Sequence, residues 1–113
     1  MVQDFLPLNH ADFQIMLALA DGERHGYGIM LDVAELTGGR TKLGPGTLYT
    51  SIKRLRQAEL IEESDDRPDP KLDDERRRYY RLTKLGRKVL VAESERLENL
   101  LSYARGRRIL KQA

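Results

Sequence analysis

GPGTLYTSIKRLRQAELIE, residues 44–62, sets Leu48, Ile52 and Leu55 at the i, i+4, i+7 spacing of a core-facing helical stripe. The opposite side carries Thr47, Thr50, Lys53, Arg54 and Gln57, and no acid appears before Glu59. Gly44 and Pro45 supply the helix start, since proline is pre-set for the first helical position. The spacing predicts that this helix ends near Ala58. Its outer face suits either plain solvation or contact with something negative.

The charges on either side are sorted into blocks. From Leu36 to Ala58 there are five bases (Arg40, Lys42, Lys53, Arg54, Arg56) and no acid. From Glu62 to Glu75 there are eight acids and two bases, and from Arg76 to Lys88 seven bases and no acid. Net charge is only +2, yet such blocks create surface fields of one sign.

At 113 residues the chain is about one domain, with little room for a deep enclosed active site. There is no cysteine, hence no disulfide or cysteine-held metal. No apolar run approaches the ~18 residues of a membrane span, and no signal-peptide pattern opens the chain, so a cytoplasmic protein without membrane contact is expected. His10 and His25 are the only histidines, and no nucleophile has a base beside it in a recognisable arrangement. No glycine-rich phosphate loop follows a strand, and the aspartates of 65–75 lack calcium-loop spacing. No enzyme, cofactor or metal site is expected.

Upstream, Asn9 is a candidate N-cap for a helix closed by Asp21-Gly22, with Phe13, Met16, Leu17 and Ala20 as its apolar stripe. A second helix should start near His25-Gly26 and run through Ile29, Val33 and Leu36 to a stop at Gly38-Gly39. Downstream, Leu60-Ile61 opens a strand. An acidic, proline-containing loop follows, and Arg78 to Leu82 forms the returning strand. Thr83 caps a long last helix to about Leu110, with Leu85, Val89, Ala92, Leu97, Leu100, Leu101 and Ala104 on its stripe. Such a helix exceeds what three short helices can cover, so a homodimer is expected, with Leu85, Val89, Leu97, Leu100, Leu101 and Ala104 as its contacts. The basic end, residues 105–111, complements the helix dipole.

This order describes a mainly α fold with a small β-hairpin: a winged helix-turn-helix with a long C-terminal dimerisation helix. Residues 1–82 would form the DNA-binding domain, with the wing at about 62–80, and residues 83–113 the dimerisation helix. In that fold the third helix enters the major groove, so its outer face must be free of carboxylates and short at its N-terminus. Thr47, Thr50 and Lys53 are the groove candidates, and Arg54 and Lys42 the backbone candidates. Gly46 and Gly44 keep the helix start uncluttered, and Tyr49 lies on the flank, to pack or to reach a phosphate. Arg76, Arg77 and Arg78 form a second basic site at the wing root, with the acidic tip held off the DNA.

HGYGI at 25–29, the stretch 44–62 and RRYYRLTKLG at 77–86 resemble the PadR-like family of winged helix-turn-helix transcriptional regulators over roughly residues 10–90. The resemblance implies a homodimeric repressor of double-stranded DNA that binds an inverted repeat, with a small-molecule effector as a further partner. It adds Tyr27 to the DNA-facing set, although Phe5, Phe13, Tyr27 and Tyr103 read first as packing residues. A pocket between the long helices and the first helix is where an effector would sit. The chain departs from the family pattern at Gly44, Thr50 and Glu59, where serine, proline and glycine are usual. The alternative from another class is a winged-helix interaction module whose basic faces bind an acidic protein.

Overall fold

A computed structural model of the chain describes residues 1–64 and 78–111. Among the described residues there are four α-helices: α1 His10–Ala18, α2 Gly26–Leu36, α3 Pro45–Gln57 and α4 Lys84–Gly106. Three strands accompany them: β1 Arg24–His25, β2 Ile61–Ser64 and β3 Tyr79–Leu82. Asn9, His25 and Thr83 cap the helices that follow them, each accepting a backbone N–H with its side chain. Gly44 caps α3 without a side-chain bond.

The core is built from one face of each helix: Ile15 and Met16 of α1 with Leu19 at its C-cap, Ile29 and Val33 of α2, Leu48, Ile52 and Leu55 of α3, and Val89 and Leu90 of α4. Leu60, Ile61 and Tyr80 close it from the sheet side. The stripe expected on α1 is displaced. Phe13, Leu17 and Ala20 are only partly buried, while Ile15 and Leu19 are among the most buried side chains. Residues 13–20 are apolar almost all round, so periodicity had no polar face by which to orient the helix.

The hairpin has a third strand. β2 and β3 pair antiparallel with Glu63 opposite Tyr80, and β1 joins the other edge of β3 with Arg24 opposite Tyr80. Two residues between a turn and a helix carry no periodic signal, which is why β1 escaped the sequence pattern.

Two junctions fix the helices. Past α3, Glu59 adopts φ 62°, the left-handed region, and the Leu60 N–H donates to the Leu55 carbonyl at 3.0 Å. This is the helix-ending geometry that glycine adopts at less cost, and it turns the chain directly into β2. Thr83 then ties α4 to that turn: its N–H donates to the Leu60 carbonyl at 3.1 Å and its hydroxyl to the Glu59 carbonyl at 2.7 Å.

α4 stops at Gly106 rather than near Leu110, because Arg108 turns left-handed at φ 62° and the Ile109 N–H donates back to the Ala104 carbonyl. The first half of α4 belongs to the core. Val89 is 0% exposed and Leu85 packs against the same cluster, so these two expected dimer contacts are spent within the chain. A division at residue 82/83 would cut through that core. Glu93, also buried, accepts the Leu8 N–H at 2.7 Å and is paired with Arg96, which anchors the N-terminal turn Val2–Phe5 against α4. The Arg96 guanidinium holds the Glu93 carboxyl below its usual range, outweighing burial, which acts in the opposite sense.

Candidate nucleic-acid interface

α3 presents the sequence-expected face to solvent. Leu48, Ser51, Ile52 and Leu55 are buried, whereas Thr47, Thr50, Lys53, Arg56 and Gln57 are exposed. Gly46 is exposed and a Cβ there would meet nothing within 4 Å, so the helix start is sterically open. Its first N–H groups carry partial positive charge suited to a phosphate. Lys42, in the segment leading into the helix, is exposed as well.

Two tyrosines frame this start. Tyr49 is half-exposed, and its hydroxyl lies across the first turn of α2, 2.6 Å from where a Cβ on Gly26 would stand. Any side chain at Gly26 would displace it. Tyr27 is exposed, outside the chain's own core, and lies parallel to the His25 ring with centroids 6.5 Å apart. His25 is in turn held by its bond from the Gly28 N–H to Nδ1 at 3.1 Å and by an edge contact with Tyr79. The turn thus holds the Tyr27 ring on the outside of the start of α2.

Arg54 behaves differently from the expectation. Its Nε and Nη2 donate to the two carboxylate oxygens of Asp12 at 3.0 and 2.7 Å, and Nη2 also reaches Ser51 Oγ at 3.2 Å. Asp12 is only 7% exposed, so the fork joins α3 to α1 across the core edge. A guanidinium engaged on both carboxylate oxygens is a structural brace, and the Arg54 side chain, 48% exposed, was expected only as a backbone contact. Asp12 lies 42 residues away in sequence, beyond the reach of helical periodicity.

The wing root sits next to α3. Arg78 is exposed at the start of β3, and Arg76 and Arg77 lie outside the described residues, as does the acidic stretch 65–75. Between α3 and the wing runs an open groove of about 600 Å³ lined by Tyr49, Ile52, Lys53, Arg56, Gln57, Arg78 and Tyr80. Burial, followed by the nearby Glu63 charge, pushes the Tyr80 phenol up, so it stays a neutral hydrogen-bonding group. Arg56 was not among the expected contacts. It stands on the last turn of α3, and only the placement of β2 and β3 turns that position toward a groove.

The assembly is thus a helix with an uncluttered start, an exposed polar and basic face, and a basic groove beside it. The family description of PadR-like transcriptional regulators matches residues 15–92. The chain belongs to the PadR-like family. Members of this family are DNA-binding regulators rather than enzymes.

Three similarities place this PadR-like regulator among known proteins. It is 34% identical over 92 residues to an uncharacterized 37.1 kDa protein in transposon Tn4556 of Streptomyces fradiae, covering 81% of this chain. The chain spans only 24% of that relative's length. A transcriptional regulator from Clostridium thermocellum superposes with a TM-score of 0.69 at 26% identity, over 86% of this chain and 88% of the other. Bacillus subtilis PadR, solved in complex with operator DNA, shares the fold with a TM-score of 0.60 at 24% identity, over 76% of this chain and 47% of the other.

The remaining expected residues lie on the far half of α4. Leu100 and Leu101 are 54% and 46% exposed, while Leu97 and Ala104 are half-buried. Tyr103, read from the sequence as a packing residue, is exposed on the same helix, as is Val91, which was not expected. A groove of about 700 Å³ separates this half from α1, with Phe13, Leu97, Leu101 and Arg105 on its walls. No helix among the described residues is long and apolar enough to cross a membrane.

Proposed function

We propose that this PadR-like regulator binds an inverted-repeat operator as a homodimer, represses transcription there, and is released by a small-molecule effector. The observation that carries the reading is the exposed, carboxylate-free face of α3, with Thr47, Thr50 and Lys53 outward and the basic groove alongside. Thr47 and Thr50 would approach base edges, Lys53 would donate to a guanine or a phosphate, and Lys42, Tyr27, Tyr49 and Arg78 would fix register on the backbone. The operator complex of Bacillus subtilis PadR supports such a use of the shared fold.

Dimerisation is supported by α4. Its 23 residues extend about 35 Å, and the outer half exposes leucines that a second molecule would cover. Two copies would present two α3 helices to half-sites about one helical turn apart. The groove beside Phe13 lies between α1 and α4, where the effector is proposed to act. Repression and effector release rest on the family resemblance.

The test compares two neighbouring substitutions on an operator mapped by footprinting the DNA upstream of the coding region. Lys53→Ala should reduce the preference for operator over scrambled duplex by about tenfold or more, with an unchanged melting temperature. Arg54→Ala should leave that preference intact and instead cost about 1–2 kcal/mol of stability, since Asp12 loses its guanidinium. Equal losses of affinity for every duplex from Lys53→Ala would move Lys53 from the bases to the backbone.

A further inference from the structure

Two arginines that line the groove between α3 and the wing share one carboxylate. Glu63, on β2 and about one-third exposed, accepts from Arg78 Nη1 with both oxygens, at 3.0 and 3.2 Å. Its Oε2 also lies 3.7 Å from Arg56 Nη2. Arg56 comes from the last turn of the recognition helix and Arg78 from the wing, so one acid spans the two walls of the groove. Both arginines remain about half or more exposed, close enough to solvent to change partner.

Such pairs contribute little to folding, because solvent screens them and two long side chains must be ordered. Their effect on binding is larger, since a duplex backbone in this groove offers the arginines the same kind of partner: a planar or tetrahedral anion with two accepting oxygens. We infer that Glu63 acts as an internal phosphate substitute, occupying Arg56 and Arg78 and so restraining sequence-independent affinity for DNA. The inference rests on the proposed DNA-binding reading and adds to it.

The physical argument is a competition. Each phosphate that takes an arginine from Glu63 replaces one ion pair by another and gains little. It also approaches a carboxylate that still carries its charge. Unit charges about 7 Å apart in water repel enough to reduce affinity about threefold per protomer, hence about tenfold for a dimer. Contacts at the α3 N-terminus lie away from Glu63 and are untouched, so the penalty falls on the backbone share of binding alone. Sequence patterning could not show this, because Glu63 reads as the leading edge of the acidic block. Only the register of β2 on β3, with Glu63 opposite Tyr80, brings it to both Arg56 and Arg78.

The test is a salt series of binding to a random-sequence 20-base-pair duplex by the full chain, as wild type, Glu63→Gln and Glu63→Asp. Glu63→Gln should bind about tenfold tighter, and its log K against log salt should steepen by about two for a dimer, one added phosphate per protomer. Glu63→Asp, which keeps the charge, should stay near the wild type. If Glu63→Gln binds no tighter than the wild type, or Glu63→Asp gains as much as it does, the inference is overturned while the DNA-binding reading stands. A wild type that binds no duplex would overturn both.

Discussion

Gly86→Ala should cost about 3 kcal/mol or more and lower the melting temperature by more than about 10 °C. Gly86 is buried in the first turn of α4, where its N–H donates to Thr83 Oγ1 at 2.9 Å. A Cβ built on it would stand 1.9 Å from the Leu60 carbonyl oxygen and 2.8 Å from the carbonyl carbon. That oxygen has little freedom to retreat. It accepts the Thr83 N–H, its residue is held by the bond to Leu55, and the next residue, Ile61, is paired with Leu82. The helix cannot retreat either, because Val89 and Leu90 are locked in the core one turn further on. A methyl group therefore forces α3's end and α4's start apart. Gly106→Ala, in the same helix with nothing within 4 Å of its Cβ, is the control and should change stability by less than about 1 kcal/mol. Denaturant unfolding of both variants measures the difference; a Gly86→Ala protein as stable as Gly106→Ala would show the junction to be looser than described.

The second large effect concerns the far half of α4. Replacing both Leu100 and Leu101 by Glu should leave the fold intact, since both side chains are about half exposed within the chain. It should yield a monomer in sedimentation, with operator affinity lower by about 10²–10⁴, the advantage that linking two half-site contacts confers. Point substitutions are cleaner than truncation after Ser94, which would remove Arg96 and leave the buried Glu93 without its cation. A double variant that still sediments as a dimer would relocate the interface. Unaltered operator affinity would sever dimerisation from recognition.

How much of this was legible in the sequence depended on whether a pattern was local. The stripe Leu48, Ile52, Leu55 is a periodic signal inside one helix, and it fixed the orientation of α3 correctly. The caps at Asn9 and Thr83 were legible because each needs only a side chain and a backbone N–H three residues on. The brace of Arg54 on Asp12 was not, since a solvated arginine and a paired one have the same neighbours in sequence. Val89 and Leu85 share a stripe with Leu100 and Leu101, yet the first pair faces the chain's own core and the second faces out. Periodicity marks an apolar face without saying which molecule covers it. Arg56 and Glu63 became part of a groove only through strand register, a long-range property that no window of residues contains.

The account's central claim is that the outer face of α3 reads base sequence while the basic groove holds the backbone. Its most direct measurement is the affinity of the wild-type protein for its footprinted operator and for a scrambled duplex of equal length, across about 50–300 mM salt. Both should weaken steeply with salt, in nearly parallel lines set by the phosphates contacted, with the operator about 10³-fold tighter or more throughout. Superimposed lines for the two duplexes would contradict it, leaving a basic surface that binds anions without reading them.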